Sequence, residues 1–366
     1  MVRAFDKWLL PYFGRQLQTH PSTGRIHVVL SVCDHFEPLH DTHTTGALER
    51  LTFWLNAFQP ISEEFLDNVG VSPRHTFFFP IEQYDSRILG SIAAICHKTK
   101  AEVEIHLHHR NDSPGGVEEK LLKGISDLKH HGFLSRDLDD TPHYGFIHGN
   151  WALNHCDPQG RSCGVDREIA ILRRTGCYAD FTMPSAPHPT QARKVNSIYY
   201  SADKSGAAAL DHGTNAETGI TSHLRHDPNR LLLVQGPLAL NWRWRKAGIF
   251  PRIENADLTG ANPPTPNRLR LWTEQRISVI GRPDWIFVKL HTHGGIPQNY
   301  NMLLGEPMRR FYQHIEALNR DENHRFRYHF VTAREMVNLI HAAEDGRTES
   351  IAELRTYLYP PPPVLG

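Results

Sequence analysis

The chain has 366 residues, of which 39% are hydrophobic and 22% are charged, a composition that excludes a disordered protein and is typical of a globular enzyme. Its 40 basic and 40 acidic residues give a formal net charge of zero, which argues against nucleic acid as a partner recognised through its phosphates. The five cysteines form no CxxC pair and no run of 18 apolar residues occurs, so we expect no disulfide framework, no membrane span and a cytoplasmic location.

Seven short runs of apolar, β-branched or aromatic residues predict β-strands. They lie at 25–34, 74–82, 101–109, 143–151, 178–185, 230–238 and 284–293. Helical periodicity lies between several of them; in 117–132, for example, Leu121, Ile125 and Leu128 share one face and Gly132 marks the end. Strands that alternate with helices predict an α/β fold with a parallel sheet, which we interpret as a distorted seven-stranded parallel (β/α) barrel.

The chain is predicted to form one main domain over residues 25–346. An N-terminal segment, 1–24, precedes this domain, and a C-terminal tail, 347–366, follows it. Two proline-rich stretches, at about 186–229 and 240–283, are predicted to be long loop insertions on one face of the barrel.

Polar and titratable side chains, with one tryptophan, gather where the predicted strands end. In parallel barrels this carboxyl edge carries the chemistry, so we expect these residues to share a site. They are Asp34, His35 and Glu37 after the first strand; Glu82, Tyr84 and Asp85 after the second; His106, His108 and His109 in the third; His148, Asn150 and Trp151 after the fourth; and His291 and His293 in the seventh.

The stretch EVEIHLHHRND, residues 102–112, predicts a metal site. His106 and His108 are two apart on a strand and share a face; Asp34 offers a carboxylate, and Asp112 reaches back if a helical turn begins after His108. These four residues are the predicted ligands of a divalent ion, for which zinc is the first choice and cobalt or nickel are acceptable. His109 points the opposite way by alternation, and His35 alternates away from Asp34 but remains a possible ligand.

Several residues are candidates for contacts with a substrate. The segment HGNWALN is either a structural turn or a platform for a sugar, with Tyr84, His148, Asn150 and Trp151 as the candidate binding residues. Trp242 and Trp244, in NWRWRK, either contact a ligand or pack against the barrel. Cys33 is more readily interpreted as a small buried residue than as a nucleophile, and no serine-hydrolase, P-loop or Rossmann motif occurs.

The order of these motifs resembles the polysaccharide deacetylase (NodB-homology) superfamily of carbohydrate esterases. The similar stretches are LSVCDHFEP, HTFFFP, EIHLHHRND and FVKLHTHG, over roughly residues 25–300, together with the helical stretch VTAREMVNLIHAAEDG. The resemblance implies a distorted seven-stranded barrel that removes N-acetyl groups from amino sugars with the help of a metal ion.

The resemblance also implies roles for individual residues. Asp34 would be the metal aspartate, His108 the first metal histidine, and His291 the acid that protonates the leaving amine. This chain departs from the family in three places. Cys33 occupies the position of the catalytic base, unless Asp34 is the base and His35 binds the metal; Asp112 replaces the second histidine; and FIHGNWA replaces an arginine-proline motif.

The leading hypothesis is therefore a metal-dependent hydrolase that deacetylates an N-acylated carbohydrate. Asp34 or Glu37 would accept a proton from metal-activated water, and His291 or His293 would protonate the leaving nitrogen. A glycoside hydrolase that uses two of the carboxylates Asp34, Glu37, Glu82 and Asp85 is the alternative enzyme. A barrel that binds glycans and has lost its catalytic base is the non-enzymatic alternative. The sugar, the acyl group and the oligomeric state stay open.

Overall fold

The computed structural model describes residues 4–16, 24–154, 156–157, 162–204 and 208–365. Within these ranges the helices are α1 (Phe5–Gln16), α2 (Thr44–Glu64), α3 (Ser86–Thr99), α4 (Pro114–His130), α5 (Glu168–Arg174), α6 (Pro266–Glu274), α7 (Pro297–Leu303), α8 (Glu306–Arg320), α9 (Ala333–Glu344) and α10 (Ile351–Leu354). The strands are β1 (Ile26–His35), β2 (Thr76–Pro80), β3 (Glu102–Leu107), β4 (Ser135–Arg136), β5 (Pro142–His148), β6 (Cys177–Asp180), β7 (Ile198–Ser201), β8 (Thr214–Asn215), β9 (Leu231–Val234), β10 (Ala239–Lys246), β11 (Phe250–Glu254), β12 (Asp257–Leu258), β13 (Trp285–Thr292) and β14 (Phe326–Phe330).

The helices that cover the sheet begin where the sequence supplies a capping side chain. Asp85 and Ser113 accept a hydrogen bond from a first-turn backbone N–H at the start of α3 and α4. Thr332 and Glu335 form a complete capping box at the start of α9. These caps fix the loops that follow β2, β3 and β14, and the first two of those loops carry candidate site residues.

The central sheet is largely parallel and confirms the mixed α/β class. The seven predicted strands all form and lie side by side in the order β13-β1-β2-β3-β5-β6-β9, each parallel to its neighbours. Among the described residues the sheet also includes β4, β7, β8, β12 and β14, so it holds 12 strands there and the predicted count of seven is not confirmed.

Backbone hydrogen bonds connect the two ends of this parallel run. β7 pairs antiparallel with β9, and Ala216 N donates to Ile198 O at the start of β7 (2.9 Å). Ile280 N then donates to Ala216 O (2.9 Å), and Phe287 N in β13 donates to Ile277 O (2.8 Å). These contacts close the sheet into a barrel-like fold, in which irregular segments replace regular strand pairing between β7 and β13.

The two faces of the sheet bury different side chains. On the outer face Val28, Leu30 and Val32 of β1 join a large core with the helices, including Leu51 and Trp54 of α2. On the inner face Val29 and Cys33 join a second core that includes most of α9. Because both faces are covered, both sets of alternate residues in β1 are buried.

Helix α9 lies across the inner face at the end where the parallel strands begin. Every residue of this helix is buried. Arg334 forms a buried bidentate ion pair with Glu102, the first residue of β3, and Ala333 N donates to Thr76 Oγ1, at the start of β2. The opposite end of the inner face, where the strands end, is left to polar residues.

The segments outside the strands contain more structure than the sequence predicts, and the prediction of two long loops needs correction. The stretches 186–229 and 240–283 are not plain loops, because they contain β7, β8, β10, β11, β12 and α6. The predicted tail is packed: Arg355 pairs with buried Asp67, and Tyr359 stacks on Tyr178 at 4.8 Å between ring centroids. Helix α1, in the N-terminal segment, buries Trp8 against the base of β10. The domain boundaries themselves stay a prediction.

Candidate metal and catalytic site

The strand registers place histidines from three strands on the inner face at the carboxyl edge. Paired residues in a parallel sheet point to the same face, and Cys33, an inner-core residue, pairs with His291. Phe78 is also an inner-core residue, and it pairs with His35. The residue two positions after Phe78 lies on the same face of β2 and pairs with His106. The His35 ring centroid lies 5.3 Å from that of His106 and 6.2 Å from that of His291.

Glu37, His106 and His108 converge on one point at the rim of this inner face. Glu37 Oε1 lies 3.6 Å from His106 Nε2 and 3.2 Å from His108 Nε2. These ligand atoms all lie within 4.8 Å of one another, with His106 buried and the other two residues half-buried. The group is therefore accessible from one side.

Both imidazoles are held by their other ring nitrogen. His106 Nδ1 lies 2.8 Å from the carbonyl oxygen of Ile147, and His108 Nδ1 lies 2.7 Å from Glu82 Oε1. A carbonyl or carboxylate at Nδ1 places the proton on that nitrogen and leaves the Nε2 lone pair free for a metal ion. The donor set, two imidazoles and one carboxylate, suits zinc and similar divalent ions.

The spacing of the ligand atoms also fits a metal ion. Two atoms that each lie about 2 Å from a tetrahedral zinc are roughly 3.3 Å apart. The separations of 3.2 and 3.6 Å from Glu37 to the two histidines bracket this value. The residues present therefore fit a divalent ion without rearrangement of the backbone.

The electrostatics of the group favour a charged carboxylate. Burial alone would raise the pKa of Glu37, but the adjacent His106, together with the nearby His108 and His293, lowers it overall. Burial would lower the pKa of His108, whereas the hydrogen bond and charge of Glu82, with Glu37 behind it, raise it. A bound cation would be stabilised by the same two carboxylates.

Three further histidines surround the group and are held neutral. Burial, together with the neighbouring His293, lowers the pKa of His35 well below its usual range, and burial beside Lys289 does the same for His291. Burial also lowers the pKa of His293, whose ring centroid lies 4.8 Å from that of His35. His35 Nε2 and His291 Nδ1 are buried without a hydrogen-bond partner among the described residues.

Asp34 does not point into this site, contrary to the prediction that it is a metal ligand or the base. It belongs to the outer face, where its carboxylate pairs with His75 Nε2 (2.9 Å) and accepts a hydrogen bond from Gly294 N (2.6 Å). The approach is so close that a Cβ on Gly294 would lie 2.1 Å from the carboxylate. The phase of β1 is therefore opposite to the predicted one: His35 faces inward and Asp34 holds the turn after β13.

Asp112 and Tyr84 are also placed away from the site. The Asp112 carboxylate pairs with Lys120 and accepts a hydrogen bond from Ser113 N, so it stabilises the start of α4 and is not in the ligand group. The Tyr84 ring lies against Lys123 and His131. No helical turn begins directly after His108, because the helix begins only at Pro114.

The predicted substrate-binding residues of the HGNW segment separate into two groups. His148 is fully buried and its Nε2 lies 2.7 Å from Glu168 Oε1, so it cannot meet a ligand. Trp151 is half-buried, with its ring centroid 6.3 Å from His293 and 5.2 Å from His188. Asn150 is exposed at the start of the same short turn.

A second histidine–carboxylate cluster lies directly behind the first and was not predicted. His109, His148 and Glu168 are all fully enclosed, and Glu168 Oε1 lies 2.8 Å from His109 Nε2 and 2.7 Å from His148 Nε2. Glu168 Oε2 accepts a hydrogen bond from Asn154 N (2.6 Å). His109 points away from the first cluster, as the alternation along β3 indicates, but Glu168 comes from a distant helix and gave no local signal.

Comparisons with known proteins do not assign a family. No family model matches the chain, and no curated protein is detectably similar to it. One similar solved structure is provisionally described as a polysaccharide deacetylase from Mycobacterium smegmatis, with 13% identity, coverage of 91% of this chain and 96% of that chain, and a TM-score of 0.47. Another is a 4-alpha-glucanotransferase from Thermococcus litoralis, with 12% identity, coverage of 86% and 40%, and a TM-score of 0.41. Likenesses at this level carry no inference about activity.

Proposed function

We propose that this protein is a metal-dependent hydrolase that removes the acetyl group from an N-acetylated carbohydrate, with Glu37, His106 and His108 as the ligands of a divalent ion, preferably zinc. The observation that supports this proposal most is the spacing of the three ligand atoms, with both histidines oriented by Ile147 O and Glu82. When bound, such an ion supplies Lewis-acid polarisation of an acyl carbonyl.

In this proposal His293 moves the proton. It is half-buried at the rim beside Glu37, and its lowered pKa leaves it neutral at pH 7. A neutral imidazole can accept a proton from water as the water oxygen bonds to the acyl carbon, and can then donate that proton to nitrogen as the C–N bond breaks. His35 and His291 lie deeper and would keep the site free of competing positive charge.

Asp34 acts as a positioning residue in the same scheme. Its carboxylate binds Gly294 N, next to His293, and its other contact, His75, anchors it to the start of β2. The half-buried ring of Trp151 faces the same opening and offers an apolar surface for a sugar ring, and the exposed Asn150 offers an amide for its hydroxyls.

The carboxylates do not suit a glycoside hydrolase. Such an enzyme needs one carboxylic acid whose pKa is raised, whereas the pKa of Glu37 is lowered. Asp85 caps α3, and its contacts with Arg87 lower its pKa to about 2. Asp34 is enclosed on the outer face, and Glu82 is bound to His108.

The test is release of acetate from N-acetylated chito-oligosaccharides by untagged protein that is loaded with zinc, stripped with a chelator and reloaded. We expect activity only in the loaded states and a loss of roughly 100-fold or more in Glu37→Gln and His106→Gln. Glu49→Gln and His97→Gln are matched controls, since both residues are exposed on α2 and α3. Activity that survives chelation contradicts metal dependence, new reducing ends without acetate indicate a glycoside hydrolase, and glycan binding by zinc-loaded but inactive protein indicates a binding barrel.

A further inference from the structure

The β10–β11 hairpin exposes a cluster of large apolar side chains. It forms a two-stranded sheet separate from the central one. Ile249 and Phe250, at its tip, are 68% and 64% exposed, and Trp242 and Trp244 on the neighbouring strand are 55% and 41% exposed. Four large apolar residues exposed within nine positions form a patch. A contiguous exposed apolar patch on a globular protein marks an interaction surface.

The same hairpin is strongly basic, although the whole chain has no net charge. Between positions 242 and 252 the sequence has Arg243, Arg245, Lys246 and Arg252 and no acidic residue. The guanidinium of Arg252 lies 3.8 Å from the centroid of the Trp244 ring, and Arg245 Nε donates to the Trp242 carbonyl (2.9 Å). The hairpin therefore presents cations and aromatic rings side by side.

The exposed arginines are available to an external anion. None of Arg243, Arg245 and Arg252 forms an ion pair with a carboxylate of the described residues, whereas most exposed arginines on the helices do. Helix α1 packs against Leu240 at the base of the hairpin.

We propose that this hairpin binds the surface of an anionic lipid bilayer. The apolar tip, Ile249 and Phe250, would enter the interface, the two tryptophans would lie at the level of the headgroups, and the arginines would contact lipid phosphates. Rings with a polar edge prefer this interface, and basic residues are attracted to anionic lipid. Nucleic acid would also attract the arginines, but it offers no apolar phase for an aliphatic tip. No helix in the described part of the chain has the length and apolar character to cross a bilayer.

Cosedimentation of the full chain with lipid vesicles tests this proposal. We expect binding to phosphatidylcholine vesicles that contain about one-third phosphatidylglycerol, weak binding to phosphatidylcholine alone, and loss of binding as salt is raised. Arg243→Gln/Arg245→Gln should weaken binding by roughly 30-fold, at about a factor of five for each cation. Ile249→Ser/Phe250→Ser should also weaken it, whereas Arg310→Gln, which removes an exposed arginine of α8, should not.

All the substituted side chains are exposed, so circular dichroism should show an unchanged fold for each variant. Equal binding to both kinds of vesicle, no binding to either, or full binding by the two double variants overturns the proposal. Binding of a single-stranded oligonucleotide that persists in Ile249→Ser/Phe250→Ser, without binding to vesicles, overturns it in favour of nucleic acid. The vesicle measurement does not depend on hydrolase activity, so its failure leaves the proposed function untouched.

Discussion

Two adjacent residues, His108 and His109, belong to two clusters with the same composition and different geometry. Each cluster has two histidines and one glutamate. In the first, Glu37 lies 3.2 and 3.6 Å from the imidazole nitrogens and the rim is open; in the second, Glu168 lies 2.7 and 2.8 Å from them and all three residues are buried. Ligands of one tetrahedral ion are roughly 3.3 Å apart, whereas hydrogen-bonded atoms are about 2.8 Å apart.

The comparison shows that residue type alone does not define a metal site. The spacing of the first cluster suits an ion, whereas in the second His148 Nε2 is hydrogen-bonded to the buried Glu168 carboxylate and His109 Nε2 contacts the same oxygen as an ion pair. The charge of Glu168 is balanced locally, because the proximity of His148 and His109 and their hydrogen bonds outweigh burial and hold its pKa well below the usual range. The second cluster ties the ends of β3 and β5 to the start of α5, and so supports the first from behind.

The largest effect that we expect from the difference between the two clusters is on the free energy of unfolding. Glu168→Ala removes the acceptor shared by two buried imidazoles, and loss of one partner of a buried pair costs about 3–5 kcal/mol. Asp127→Ala, which breaks the exposed pair with Lys123, should cost well under 1 kcal/mol. Urea denaturation of both variants measures the difference, and equal midpoints would remove the structural role of the second cluster.

A smaller effect is expected from the residue that orients the first cluster. Glu82→Gln weakens the acceptor at His108 Nδ1 without removing a metal ligand, so zinc affinity should fall by about 10–100-fold. Competition with a chromophoric chelator measures the zinc affinities of the wild type and the variant. An unchanged zinc affinity would mean that Glu82 does not set the orientation of His108.

A histidine pair in which no carboxylate acts on the buried member, His329, provides a further comparison. His27 Nδ1 lies 2.9 Å from His329 Nε2, and burial, with His27 and Arg355 nearby, lowers the pKa of His329 to about 3. His329 therefore takes up a proton near pH 6.5 in the unfolded chain but not in the folded chain. Its full contribution to the free energy of unfolding is present above that pH and is lost progressively as the pH falls toward 3. Between pH 7 and pH 5 the loss is about 2 kcal/mol for one such group.

His329→Gln should flatten this acid dependence of the free energy of unfolding. Urea titrations of the wild type and the variant at pH 7, 6 and 5 compare the two slopes. If the free energy of unfolding changes with pH equally in both proteins, His329 is protonated in the folded protein as readily as in the unfolded chain. The contrast between histidines with and without a carboxylate partner would then be wrong.

The strands were predictable because each is a short run rich in apolar, β-branched or aromatic residues that ends in polar residues. The phase of β1 was not, because a strand buried on both faces does not alternate between apolar and polar residues. The sequence does hold a clue: Val28, Leu30 and Val32 form the purely apolar set, which faces the helices, and Ser31 shares its phase with His35. Asp34 lies two residues after Val32 and therefore has the same phase. If the apolar set is assigned to the outer face, Asp34 is predicted to point outward as well.

The ligand group was only partly predictable for a related reason. His106 and His108 share a face by simple alternation, and that spacing is local. Glu37 lies two residues past the end of β1, where loop geometry decides the direction of the side chain, and Glu168 joins His109 from about sixty residues away along the chain. Contacts of this kind depend on the closed sheet, and no short motif encodes them.

Zinc stoichiometry of four untagged proteins tests the central claim most directly: wild type, Glu37→Gln, Asp34→Asn and Glu168→Gln, each dialysed against zinc and measured by elemental analysis. The account predicts one zinc per chain in the wild type and in Asp34→Asn and Glu168→Gln, and none in Glu37→Gln. Zinc retained by Glu37→Gln but lost from Asp34→Asn would contradict it, and so would a second ion in the wild type that disappears in Glu168→Gln.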